Sequence, residues 1–315
     1  MPDIVALMLP ILILIVLGFL AVRFGLATGA HIEGLAAFVL NFALPAVLLS
    51  ALSRQDLTQS FNLSYVLAYA AGSLVAFTAV LAILRKIMGR PLAPAVMGGL
   101  GAAASNTGFI GFPIASLAFG DLALTAVPLT MLVENIIVLP LAFALVEWGS
   151  SSEASVGAIL RQTARRLSRM PLLIAIVLGV LLALLGLHLP APVVKSIDML
   201  ATASAPCALF VVGGTIATLR KADLASDIPV IIAGKLLLHP LAVTAALFLI
   251  PGVSRELTAV GIVLASVSMI TVYPILSRRT GTDSVAAATL IIATALALVT
   301  ISITLLLVAP LTAGV

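Results

Sequence analysis

The sequence contains ten apolar stretches, each near the length of about 20 residues that a helix needs to cross a bilayer. Only 9% of the 315 residues are charged, against about 25% in soluble domains, so a polar surface cannot be built. The chain is therefore predicted to be an integral membrane protein. The ten predicted spans are residues 4–22, 34–53, 63–84, 93–119, 122–146, 171–187, 193–219, 228–250, 257–277 and 284–308.

Every span is predicted to be a helix, which makes the fold class all-α. Lipid offers no partner to the edge of an open sheet, and the alternation that marks a transmembrane barrel is absent from the sequence. The net charge of +4 comes from scattered residues with few aromatics beside them, so nucleic-acid binding is not expected. Neither a P-loop nor a hydrolase motif occurs in the spans, which predicts no enzyme activity, no metal and no cofactor.

The basic residues predict the orientation in the membrane. Twelve of the sixteen Lys and Arg residues follow odd-numbered spans, and Lys235 lies inside the eighth span. The other three lie in the loops after even-numbered spans or, for Lys195, at the edge of such a loop. Because basic loops are retained in the cytoplasm, both termini are expected outside it, in a bacterial-type inner membrane. Residues 147–170 are then a cytoplasmic linker between two halves.

A shift of 161 residues aligns the second half of the chain with the first. PILILIVLG at residues 10–18 meets PLLIAIVLG at residues 171–179, and Pro113 meets Pro274. Five spans per half is an odd number, so the second copy must enter the membrane from the opposite face. We therefore predict a five-plus-five inverted repeat, with halves 1–146 and 171–315 joined by the linker 147–170.

The fourth and ninth spans are predicted to break and cross near the bilayer midplane. Proline removes a backbone donor, nearby glycines permit other torsions, and polar residues precede both prolines. An alternative is that these residues only kink two intact helices. Inverted-repeat carriers bind substrate at such breaks, which makes the following residues candidates: Ser105, Asn106, Thr107, Gly108, Pro113, Ser266, Ser268, Thr271, Tyr273 and Pro274.

Lys235, Glu134 and His239 lie well inside predicted spans, where a charge costs on the order of 3 kcal/mol on insertion scales. Lys235 either extends toward the cytoplasmic interface or supplies positive charge to a bound carboxylate. Glu134 either pairs with Lys235 or carries a proton itself. With the adjacent Asn135 and with His239, Glu134 forms the set of candidates for ion coupling.

Four motifs resemble the auxin efflux carrier family, which includes the plant PIN carriers and bacterial malonate or malate permease-like proteins. They are NFALP at residues 41–45, SNTGFIGFPI at 105–114, GKLLLHP at 234–240 and VSMITVYPIL at 267–276. The resemblance covers essentially the whole chain. It implies an organic-anion site at the crossing of spans 4 and 9, with spans 3–5 and 8–10 as the mobile unit. Spans 1, 2, 6 and 7 would form a scaffold, with a homodimer face at spans 2 and 7.

The predicted function is secondary transport of small organic anions by alternating access. PIN carriers have an asparagine in both breaks, whereas here Val267 stands opposite Asn106, so malonate-like or malate-like acids are favoured over auxin-like acids. The coupling ion is a proton or sodium. A sodium-coupled symporter of the bile-acid type is the alternative carrier, and a channel is a further alternative that would need continuous pore-lining helices.

Overall fold

The computed structural model describes residues 4–54, 61–150, 165, 168–169, 171–187, 189–218 and 226–312. Over these residues the regular elements are all helices, which confirms the all-α prediction. Several helices contain a short π-helical segment, a wider turn that is frequent at functional sites.

The first half of the chain forms helices close to the predicted spans. They are α1 (Ile4–Arg23), α2 (Gly29–Phe38, π-turn Val39–Ala43, Leu44–Arg54), α3 (Leu63–Ala82, π-turn Ile83–Ile87), α4a (Leu92–Ala103), α4b (π-turn Thr107–Gly111, Phe112–Phe119) and α5 (Leu122–Val133, π-turn Glu134–Val138, Leu139–Ser150).

The second half of the chain is also helical over its described residues. Its helices are α6 (Pro171–Leu184), α7 (Ala191–Thr218), α8 (Asp227–Ala233, π-turn Gly234–Leu238, His239–Leu249), α9a (Arg255–Ser266), α9b (Tyr273–Ser277, then the 3₁₀ turn Arg278–Thr280) and α10 (Asp283–Thr312).

Among the described residues, six helices are long and apolar enough to cross a membrane, in α2, α3, α5, α7, α8 and α10. Shorter apolar helices are Leu9–Arg23, Leu92–Ala103, Thr107–Phe119 and Pro171–Leu184. This composition is that of a multi-pass membrane protein. Ten crossings and the five-plus-five repeat stay predictions.

Close packing divides the chain into two units that each draw on both halves of the sequence. Unit 1 comprises Met1–Asn62, Gly108–Leu129 and Ser168–Thr218, and unit 2 comprises Leu63–Thr107, Thr130–Leu167 and Leu219–Val315. The division implied by the resemblance differs in one segment, because Gly108–Leu129 packs within unit 1. The predicted halves were defined by the sequence repeat and not by packing, so they stay a prediction. Most of the predicted linker 147–170 lies outside the described residues.

Unit 1 is held by close contact between α1 and α7. Gly18 faces the backbone of Phe210, and Gly213 faces the backbone of Ile15, so a Cβ atom at either glycine would collide. Small residues let helix backbones approach in lipid, where no hydrophobic force drives helices together. Dimerisation through α2 and α7 is not tested by this packing.

Unit 2 is built around α3, which packs against α8 and α4a. Tyr65 and Tyr69 of α3 are fully buried. Gly72 lies against the backbone of Val243 in α8, where any side chain would collide. This close approach brings the next residue of α3, Ser73, beside His239 of α8.

Candidate functional site

Two of the predicted spans are interrupted at corresponding places. Helix α4a ends at Ala103 and α9a ends at Ser266, and the residue after each is extended, with φ −95° and ψ 120° at Ala104 and φ −73° and ψ 163° at Val267. The predicted breaks are thus confirmed. Pro113 and Pro274 lie in the first turn of the α-helical segment beyond each break, where a missing N–H is tolerated.

The two breaks pair with each other through their backbones. The N–H of Asn106 donates to the carbonyl of Ser268 at 2.8 Å, and the N–H of Ile270 donates to the carbonyl of Ala104 at 3.3 Å. The result is a single antiparallel bridge. An unpaired backbone group in lipid would cost several kcal/mol, so each break supplies what the other lacks.

Asn106 also joins the breaks through its side chain. Its Nδ2 donates to Thr271 Oγ1 at 2.8 Å, and the residue is only 3% exposed. Asn106 is therefore bound to the ninth span by both backbone and side chain.

Glu134 lies at the first residue of the π-turn in α5 and is 4% exposed. Its Oε1 accepts hydrogen bonds from the N–H of Ser105 at 2.9 Å and from Thr107 Oγ1 at 2.8 Å. The break in the fourth span thus receives a carboxylate as the partner of a backbone donor that has left the helix.

Lys235 lies in the π-turn of α8 and has no exposed surface. Its Nζ is 2.6 Å from Ser105 Oγ, 2.8 Å from His239 Nδ1 and 3.2 Å from the carbonyl of Ala265. An ammonium group has three protons, which suffice for all three contacts when His239 Nδ1 is an acceptor. The buried position excludes extension to the interface, and Ser105 stands between Lys235 and Glu134.

His239 completes the buried cluster one helical turn after Lys235. Its Nε2 is 3.0 Å from Ser73 Oγ, and its ring lies edge-on to Tyr69 with centroids 5.8 Å apart. Nδ1 also lies 3.2 Å from the carbonyl of Ala265, so its role as donor or acceptor depends on the ring tautomer. In the tautomer in which Nδ1 accepts from Lys235, the ring proton sits on Nε2 and points to Ser73. The hydroxyl of Tyr69 also lies 3.3 Å from Ser105 Oγ.

The break in the ninth span is held by hydroxyl groups from α10. Thr300 Oγ1 donates to the carbonyl of Ser266 at 3.2 Å, and Thr304 Oγ1 donates to Ser266 Oγ at 3.0 Å. Thr294 Oγ1 donates to Ser268 Oγ at 3.2 Å. Among the described residues, the α10 side chains that bind this break are all neutral.

The structure brings most of the predicted site residues together, although their roles in binding stay predictions. The cluster and the paired breaks contain Ser105, Asn106, Thr107, Glu134, Lys235, His239, Ser266, Ser268 and Thr271.

For five other predicted residues, no hydrogen bond to the cluster is found in the described part of the chain. Tyr273 is buried against Gly101, and Pro274 follows it in α9b. Asn135 donates to the carbonyl of Met131 in its own helix. Gly108 and Pro113 pack within unit 1.

Sequence reasoning missed the polar residues on α3 and α10. Tyr65, Tyr69 and Ser73 are spaced by four residues and share one face of α3, as Thr300 and Thr304 share one face of α10. A polar stripe with helical spacing inside an apolar span was the signal that could have found them.

An apolar groove of about 720 Å³ runs beside α8 and α10. Aliphatic side chains form most of its lining, and the polar members are Ser226 and Thr300. It offers no charged partner for a carboxylate, so the paired breaks are the better candidate for an anion site.

Comparison with known proteins agrees with this geometry. Residues 3–305 match the family model described as "Membrane transport protein". The "Putative malonate transporter" of Rhizobium meliloti (strain 1021) is 30% identical over 303 residues, which cover 96% of this chain and 95% of that protein. The "Uncharacterized transporter YfdV" of Escherichia coli (strain K12) is 26% identical over 75% of each chain. A match that spans both breaks and every helix between them shows that the chain is a membrane transport protein of the auxin efflux carrier family.

Proposed function

We propose that this protein is a secondary transporter that moves small organic anions by alternating access, with its site at the paired breaks. The observation that carries the proposal is the backbone pairing between Asn106 and Ser268 and between Ile270 and Ala104. Carriers built from inverted repeats bind substrate where discontinuous helices present polar backbone groups inside the membrane. A continuous helix pair would present none.

The substrate class follows from the charge beside the breaks. Lys235 is a fully buried cation, and an anion is the ligand that such a group favours. The relative from Rhizobium meliloti is named for malonate, which is a small dicarboxylate. We therefore propose mono- or dicarboxylates such as malonate or malate, with auxin-like acids as less favoured substrates.

The inverted repeat is part of the same proposal, and backbone conformation supports it. Gly25 and Gly186 have φ of 75° and 60°, and Gly120 and Gly281 have φ of 57° and 69°. The members of each pair are 161 residues apart, which is the shift that aligns the two halves. Left-handed glycines at matching positions are expected if both halves fold alike. We place the chain in an inner membrane with both termini outside the cytoplasm.

A sodium-coupled symporter is the second candidate. Ser268 Oγ and Thr294 Oγ1 lie 3.2 Å apart at the ninth span, and sodium binds neutral oxygen ligands. A sodium gradient would drive uptake by such a symporter, whereas it would not drive uptake by the carrier proposed first.

The test is counterflow of labelled malonate in proteoliposomes. Wild-type protein should exchange internal for external malonate. Asn106→Ala should reduce exchange at least about tenfold, because it removes the side-chain bond to Thr271 from the paired breaks.

Asn41→Ala is the matched control, since Asn41 is exposed on α2 in unit 1. It should keep wild-type exchange and the same yield of folded protein. Normal exchange by Asn106→Ala would remove the paired breaks from the transport site.

A further inference from the structure

The buried cluster holds one cation and one carboxylate that do not touch directly. Lys235 donates to the hydroxyl of Ser105, and the amide of the same residue donates to Glu134. With both groups ionised, the cluster has no net charge. Ser105 and the carbonyl of Ala265 already accept ammonium protons. An entering carboxylate would therefore add an uncompensated negative charge to a site that is almost fully buried.

We infer that Glu134 is the proton-coupling carboxyl of this carrier, binding one proton when a carboxylate enters beside Lys235 and releasing it when the carboxylate leaves. This inference rests on the proposed function. It names the coupling ion and the residue that binds it.

The groups that surround Glu134 make it suited to binding and releasing this proton. From α4, Ser105 and Thr107 bind its Oε1. From α8, the charged group that faces it is Lys235, which His239 follows one turn later. From α3, Tyr65 and Tyr69 face it, and Thr130 of its own helix binds Tyr65.

The charge balance gives the order of events. Protonation of Glu134 removes one negative charge and leaves Lys235 as a net positive charge within the break. One carboxylate group of the substrate then neutralises Lys235. A monocarboxylate makes the loaded site neutral, whereas a malonate dianion leaves it with one negative charge, one fewer than without the proton. The proton comes from water on one side and returns to water on the other, with no covalent step. Each of the two ligands therefore favours binding of the other.

The experiment compares wild type, Glu134→Gln and the exposed control Glu33→Gln. Malonate affinity is measured between pH 6.5 and 8.5, and uptake is measured under an imposed proton gradient without sodium. In wild type, affinity should fall by up to about tenfold per pH unit as pH rises, because one proton is linked to one anion. Glu134→Gln imitates the protonated carboxyl, so its affinity should not vary with pH.

The glutamine variant should also lose accumulation driven by the proton gradient, and its malonate affinity, measured in the same preparation, should not vary with pH. Glu33→Gln should match wild type in every measurement. A pH-sensitive dye inside wild-type vesicles gives a test that needs no variant: malonate entry should acidify the lumen.

Two results would overturn the inference. One is accumulation of malonate by Glu134→Gln under a proton gradient, and the other is net malonate uptake by wild type that leaves the pH of the vesicle lumen unchanged. Loss of wild-type counterflow itself would count against the proposed function instead. Accumulation driven by sodium alone would favour the sodium symporter.

Discussion

The breaks in α4 and α9 share one backbone geometry but differ in the groups that surround them. Each interrupts a helix, and each accepts one backbone hydrogen bond from the other. At α4, Ser105 is bound by the charged residues Glu134 and Lys235. At α9, the corresponding Ser266 is bound by Thr300 and Thr304, which are neutral.

This difference separates two tasks of the crossing helices: satisfying the backbone of each break and binding the substrate. Hydroxyl groups are enough to satisfy the backbone of a break, as α9 demonstrates. Charge at α4 is therefore not needed to hold the fold, and buried charges in membranes are expensive and usually functional. We expect substitutions at the α4 break to change binding and stability more than matched substitutions at α9.

The largest effect is expected from Lys235→Met. This change leaves the Glu134 carboxylate buried without a counter-charge, which typically destabilises a protein by about 3–5 kcal/mol. Thermal unfolding in detergent should show a large fall in Tm. The double variant Lys235→Met/Glu134→Gln should regain most of the loss, because no buried charge is then unpaired.

Lys195→Met is the matched control, since Lys195 is exposed on α7. It should shift the unfolding free energy by less than about 0.5 kcal/mol. If the double variant were no more stable than Lys235→Met alone, the two charges would not be coupled through Ser105.

An intermediate effect is expected from Ser105→Ala, compared with Ser266→Ala. The first variant removes an acceptor of a charged donor, a bond worth about 1.5 kcal/mol or more, so malonate affinity should fall about tenfold. The second removes a neutral bond of about 0.6 kcal/mol and should lower affinity by about threefold or less. Equal losses in a binding assay would mean that the two breaks are not functionally different.

The smallest effect is expected from Thr304→Val, which keeps the side-chain shape and removes the hydroxyl that binds Ser266. The loss of about 0.6 kcal/mol should lower Tm by only about 1–2 °C and leave malonate counterflow near wild type. Thr78→Val, at an exposed residue that bonds its own helix, is the control. A strong loss of counterflow in Thr304→Val alone would place substrate or sodium at the α9 side.

Much of the fold was predictable because lipid limits what a chain can do. Low charge and apolar length located the helices, and Pro113 and Pro274 located the two breaks to within a turn or two. The π-turns were not predicted. They depend on how backbone carbonyls are satisfied by neighbouring helices, which a single sequence does not encode in any local pattern.

The site was predictable in its residues but not in its contacts. From the sequence, the position of Lys235 along its helix allowed two interpretations, extension to the interface or contact with a bound carboxylate. Seven residues of helix rise only about 10 Å, so the side chain could reach the interface. The rotation of α8 about its axis decides between them, and Gly72 against Val243 sets that rotation. Tyr69 and Ser73 enter the cluster for the same reason, through packing between helices far apart in sequence.

Mutual pairing of the breaks also limits how such a protein could arise. If the proposed inverted repeat is correct, a single five-helix half inserted alone would leave either the carbonyl of Ala104 or that of Ser268 without its donor in hydrocarbon. An ancestral half-length protein would have needed a second copy in the opposite orientation to provide that donor. Gene fusion would then have joined two inverted subunits that already needed each other's backbone donors.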